Sequence, residues 1–232
     1  MNDSKQLRYS ELIARRRSCH CCSELVNQAD VAGGKYDSPQ IGAWSLWQGN
    51  LEADLMVVGQ DWGTVDVFER FRGVDPPPRW QNENCANSNL VKLLATIGIQ
   101  IGLPGERQEN KVFFTNAILC LKQGLNMQAP VSPEYFHNCG SLFLRPLIEI
   151  VNPRAVVVLG QLPYEAVRRT FDPGFRLIPP YRRYVENNSP YLLPGGAMLF
   201  AVYHCGAGST NRNRSFAKQC EDWKHIGEAL GK

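Results

Sequence analysis

Four short apolar runs constrain this chain more than any other feature. They are Leu55-Met56-Val57-Val58, Val112-Phe113-Phe114-Thr115, Ala155-Val156-Val157-Val158-Leu159 and Met198-Leu199-Phe200-Ala201-Val202. Each is short and rich in β-branched or aromatic residues, and none alternates apolar with polar. Such runs suit strands buried on both faces, which is the pattern of a parallel sheet. Segments with helical spacing lie between them. Residues 5–17 read as a short charged helix with Leu7, Leu12 and Ile13 as its apolar contacts. Residues 87–98 carry Leu90, Leu93, Leu94 and Ile97. Residues 133–151 carry Phe136, Leu142, Leu144, Leu147 and Ile148 behind an expected N-cap at Ser132, with Pro133 in the first turn. Residues 161–170 and 213–230 complete the set. Strands alternating with helices predict an α/β fold, a three-layer αβα sandwich around a central four-stranded parallel sheet. The expectation is a single domain over residues 1–232, opening on a helix and cysteine segment at 1–30.

Composition excludes some classes of function. No apolar run approaches the roughly 18 residues that a membrane helix needs. Met1-Asn2-Asp3-Ser4-Lys5 has no hydrophobic stretch behind it, which predicts no signal peptide and a cytoplasmic protein. Eight cysteines in a reducing compartment predict buried fillers and metal ligands rather than disulfides. The net charge of +3 permits a nucleic-acid partner without arguing for one. No oligomerisation helix is visible, so the expected state is a monomer.

In sheets of this kind ligands sit at the carboxyl ends of the strands. After the first strand comes Gly59-Gln60-Asp61-Trp62-Gly63, where Asp61 is placed to orient or deprotonate a water, or to cap a turn. After the second comes Asn116, whose amide offers a donor and an acceptor. That amide suits a base edge, or the tying down of a loop. After the fourth comes His204, placed to donate to a developing anion or to serve as a core histidine. Behind it, Gly206, Gly208, Ser209, Arg212 and Arg214 make a loop able to hold phosphates.

These segments, in this order, resemble the uracil-DNA glycosylase superfamily, and most nearly its iron–sulfur branch, often called family 4. The resemblance runs from about Cys19 to Thr210. Cys19 and Cys22 match the C-x2-C pair before the first strand, and Gly49-Asn50 matches a Gly-Asn pair there. Gly59-Gln60-Asp61-Trp62-Gly63 is similar to the first motif, usually Gly-Glu-x-Pro-Gly. Thr115-Asn116-Ala117-Ile118-Leu119-Cys120 is similar to Thr-Asn-x-x-Lys-Cys. Cys139 corresponds to the fourth cysteine, and His204 to the His of the second motif. The chain departs from the pattern too. Trp62 and Cys205 replace prolines, and Leu121-Lys122 replaces Arg-Pro. Gln60-Asp61 resembles the uracil-specific branch, while Gly63 stands where that branch has a tyrosine that blocks the thymine methyl.

The resemblance implies a DNA glycosylase of base-excision repair acting on uracil or another deaminated base. In it, Asp61 and His204 are the catalytic residues. Gly59, Gln60, Trp62, Gly63 and Asn116 contact the base, and Trp80 stacks on it, with Phe71 the next aromatic considered. Ser209, Arg212 and Arg214 meet the DNA. Cys19, Cys22, Cys120 and Cys139 hold a 4Fe-4S cluster that pins the N-terminal segment, with zinc the alternative occupant and Cys21 or His20 the substitute ligands. Cys85, Cys205 and Cys220 are read as packing residues. Two other functions remain compatible with the sequence: a non-catalytic nucleic-acid-binding member of the same fold, and an iron–sulfur redox protein.

Overall fold

All four apolar runs are strands, and they lie side by side. A computed structural model describes residues 2–35, 37–42, 50–71, 86–101, 112–174, 176–187, 189–206 and 214–231. The runs form β2 (Leu55–Gly59), β3 (Val112–Asn116), β5 (Ala155–Leu159) and β7 (Met198–Val202). They run parallel in the order β3-β2-β5-β7. A two-residue edge strand, β6 (Tyr191–Leu192), pairs antiparallel with β7, so the sheet is mixed and five-stranded rather than four-stranded. Two residues are too few to show a period, which is why the sequence does not reveal it. A separate antiparallel ladder joins β1 (Leu25–Val26) to β4 (Leu121–Lys122).

Successive side chains of a strand point to opposite faces, and here both faces are dry. Met56, Val58, Phe113, Val156, Val158, Leu199 and Ala201 belong to one core, and Leu55, Val57, Val112, Phe114, Ala155, Val157 and Phe200 to another. The first core is closed by α1 (Asn2–Arg17), α4 (Pro133–Cys139), α5 (Arg145–Val151), α6 (Gln161–Phe171) and α7 (Tyr181–Asn187). The second is closed by α3 (Ala86–Ala95) and α8 (Phe216–Ala229). This is the expected three-layer sandwich. A short helix, α2 (Val65–Phe71), follows β2.

Two local expectations are corrected. Leu7 faces water, and the buried stripe of α1 is Tyr9, Leu12, Ile13 and Arg16, at the i, i+3, i+4, i+7 spacing of one helix face. Residues 133–151 are not one regular helix. Ser132 and Pro133 do start α4, but a π-turn at Gly140–Leu144 separates α4 from α5, beginning directly after Cys139. Such turns insert a residue into the helix and re-aim its neighbours, often at functional sites.

Candidate active site and cysteine cavity

The loops that leave β2 and β3 are zipped together beyond the sheet. Gly59 and Asn116 are the last paired residues of the two strands. Ala117 N–H then donates to Gly59 O at 2.9 Å, Ile118 N–H to Gln60 O at 2.9 Å, and Lys122 N–H to Gly63 O at 2.9 Å. Asp61 and Asn116 therefore share one edge. A Cβ at position 59 would overlap Asn116 Oδ1, so glycine is what lets the amide lie across the strand end. Asn116 is buried, and its side chain has no hydrogen-bond partner among the described residues. No bond to a described loop uses the amide, which leaves its donor and acceptor free for a base edge.

Asp61 is held on three sides. Gly63 N–H donates to its Oδ1 at 2.9 Å, Gln60 Nε2 donates to Oδ2 at 2.7 Å, and Lys122 Nζ lies 3.1 Å from Oδ2. The side chains of Lys122 and Asp61 are only 4% and 7% exposed. A carboxylate offers about four acceptor sites, so one remains for a water. Lys122 Nζ also donates to Met127 O. Gly63 takes a left-handed conformation at φ 94°, and Met127 packs on it, its Sδ and Cε each 2.8 Å from where a Cβ would stand. Sequence reasoning noted Lys122 as a departure but did not place it in the site. The sequence offered no signal for it, because its burial depends on the pairing of β4 with β1.

His204 follows β7 at the same end of the sheet. Its Nδ1 accepts from Gly206 N–H at 3.0 Å, so the neutral ring carries its proton on Nε2 and presents a donor. His204 is exposed at the surface, and the neighbouring protein removes only part of its hydration. That burial pushes the imidazolium below its ordinary pKa, and the Asp61 carboxylate partly opposes the shift. The neutral donor is therefore the resting form at neutral pH.

Other expected contacts are placed differently. Trp62 is corrected: its ring is buried in a small satellite core with Val31, Phe68 and Leu121, which makes its side chain a packing residue. Phe68 shares that core. Trp80, Ser209 and Arg212, along with the side chain of Phe71, lie outside the described residues. Arg214 Nε and Nη2 are bound to the Asp222 carboxylate at 2.8 and 2.6 Å, an anchor onto α8 that leaves Nη1 without a partner among the described residues.

Cys19, Cys22, Cys120 and Cys139 line one cavity of about 140 Å³, and Cys21, His20, Arg16 and Asn138 line it too. The β1–β4 ladder brings the first pair of cysteines to Cys120, and the end of α4 brings Cys139. All cysteines among the described residues are free thiols. Burial pushes the Cys120 thiol up to about 12 and raises Cys139 and Cys22 as well, with the neighbouring cysteines adding to it. Cys22 faces inward, with Asn138 Nδ2 at 3.9 Å from its sulfur, whereas Cys21 is exposed. His20 spends both ring nitrogens, on Ser18 O and Asp30. Cys205 is buried with its sulfur 3.2 Å from Ala86 O, consistent with packing.

The donor set can be tested against what it would hold. Among the described residues no group of three or more His, Cys, Asp or Glu side chains is placed to hold a metal ion. A lone zinc ion needs its thiolates at about 2.3 Å from one point. A cubane presents four iron corners and takes its thiolates farther apart. Arg16, 1% exposed, binds Asp37, Ser38 O and Gln40 O through its Nη atoms, while its Nε has no partner. The Arg16 charge is answered by Asp37, and only its Nε–H is left over for an acceptor in the cavity it lines.

The profile of the Uracil DNA glycosylase superfamily matches residues 46–230. A protein of Pyrobaculum aerophilum named type-5 uracil-DNA glycosylase is 28% identical over 172 residues, covering 68% of this chain and 69% of that one. No helix among the described residues is long and apolar enough to cross a membrane. With the family profile spanning both the strand-end site and the sheet that carries it, this chain belongs to the uracil-DNA glycosylase superfamily.

Proposed function

We propose that this protein hydrolyses the N-glycosidic bond of uracil, or of another deaminated base, in DNA. The observation that carries the reading is that the Asn116 amide, without a partner among the described residues, the Asp61 carboxylate and the His204 Nε2–H lie at one end of the sheet. A target nucleotide must first leave the stack. Asn116 then reads the base edge, donating to a carbonyl and accepting from the N–H beside it. Gln60 and the Gly59 and Gly63 backbone form the adjoining wall. Trp80 is assigned to stacking, and Ser209, Arg212 and Arg214 Nη1 to the DNA backbone.

In the bond-breaking step the C1′–N bond cleaves and its electron pair leaves on the base. His204 Nε2–H hydrogen-bonds that developing anion, an effect worth about 3–4 kcal/mol for a well-placed donor. The water on the remaining Asp61 acceptor site bonds to C1′ and gives up its proton to the carboxylate. Cys19, Cys22, Cys120 and Cys139 are assigned to a 4Fe-4S cluster that braces the N-terminal segment and takes no part in the step.

The test is base release from single- and double-stranded oligonucleotides carrying uracil, hypoxanthine or xanthine. Abasic sites that form with the wild type and not with Asp61→Asn support the reading. One observation favours a second reading, a non-catalytic base binder: Lys122 neutralises Asp61 in place. DNA binding without release of any of the three bases would establish it instead.

A further inference from the structure

We propose that residues 123–128, between β4 and α4, form a wedge that enters the base stack beside the extruded nucleotide, with Leu125 as the inserted side chain and Met127 as the partition between wedge and pocket. The inference rests on the proposed function. Leu125 is 71% exposed, the most exposed large apolar side chain among the described residues, and Met127 is 41% exposed. An isolated exposed leucine needs no explanation. What distinguishes Leu125 is the segment that holds it.

That segment is tethered to the catalytic carboxylate. Lys122 bonds the Met127 carbonyl and the Asp61 carboxylate with the same ammonium group. The Met127 thioether rests on Gly63, whose N–H holds the other oxygen of Asp61. Leu125 is two residues from Met127, so their α-carbons are within about 7 Å. The loop is internally braced as well. Asn126 Oδ1 accepts from Gln128 N–H at 2.9 Å, and Asn126 O accepts from Ala129 N–H at 3.0 Å. A braced apolar tip beside a base pocket is what insertion between bases requires, because the inserted side chain must replace the stacking it disrupts. The sequence after His204, Gly206-Ala207-Gly208-Ser209-Thr210-Asn211, offers no bulky apolar side chain for that task. The two loops divide the work. One holds phosphates, and the other props the stack open.

The experiment compares wild type with Leu125→Ala on uracil oligonucleotides, single- and double-stranded, with 2-aminopurine next to the target. The ratio of double- to single-strand release is expected to fall about tenfold in the variant, and the fluorescence rise on binding duplex to be lost. An unchanged ratio, whether both rates hold or both fall together, overturns the wedge while leaving the glycosylase reading intact. If the wild type releases no base from either strand, the glycosylase reading fails and the fluorescence decides alone. A rise on binding duplex that needs Leu125 upholds the wedge, and a rise indifferent to Leu125, or no rise, overturns it.

Discussion

Lys122 Nζ stands 3.1 Å from Asp61 Oδ2, and both side chains are almost entirely removed from water. Removing one partner of a buried ion pair strands the other, at about 3–5 kcal/mol. Lys122→Met is therefore expected to lose stability of that order in urea unfolding. The double variant Asp61→Asn, Lys122→Met should recover much of it, since no charge is then left alone. Equal loss in the single and double variants would mean that the lysine acts through packing.

The Asn116 side chain makes no hydrogen bond to the described residues that its loss could break. Asn116→Ala should change unfolding free energy by no more than about 1 kcal/mol, while base release falls about 10- to 100-fold. Gly59→Ala should give a similar loss of release with the amide still present, because the added methyl displaces Asn116 Oδ1. Steady-state release and denaturant curves for both variants check this.

The pH dependence follows from the burial of His204, which favours the neutral ring. Its titration by NMR should have a midpoint below the ordinary value of about 6.5. Asp61→Asn should move that midpoint lower still, since the carboxylate is what holds it up. The folded pKa lies below the unfolded one, so this group leaves stability untouched above about pH 6.5 and subtracts from it as the pH falls below. Release should likewise stay level down to that range and drop only when Nδ1 is protonated and its bond to Gly206 N–H is lost.

Cys21 and Cys22 both line the cysteine cavity, but Cys22 is buried and Cys21 exposed, which gives opposite expectations. Anaerobically purified Cys21→Ala should keep its iron and visible absorbance, and Cys22→Ala should lose both, from about four irons to near none. Iron analysis of the two proteins decides it.

The parts of this molecule legible in the sequence are those with a period or a fixed chemistry. The four core strands showed because burial on both faces demands an unbroken apolar run. Asp61, Asn116 and His204 stood out as candidates because each lies within three residues of the end of such a run. What was hidden depends on pairing across the chain. β1, β4 and β6 are two residues each and have no pattern of their own. Lys122 reads as a surface charge until β4 is seen to carry it under Asp61. Trp62 was misread because its neighbours in sequence face the site while its ring turns into the satellite core beside Phe68. The π-turn after Cys139 leaves no mark in a helical pattern that continues on both sides of it.

The ladder of Leu25–Val26 on Leu121–Lys122 has a consequence for the order of assembly. It closes a loop of roughly 100 residues for the sake of two short strands, an entropic cost that so small a pairing cannot offset. Only when β2 and β3 are already docked are its two halves held near each other. The cysteine cavity is consequently expected to close after β2 and β3 have docked, so that whatever it holds is loaded onto a sheet already formed, an order that pulsed hydrogen exchange during refolding would check.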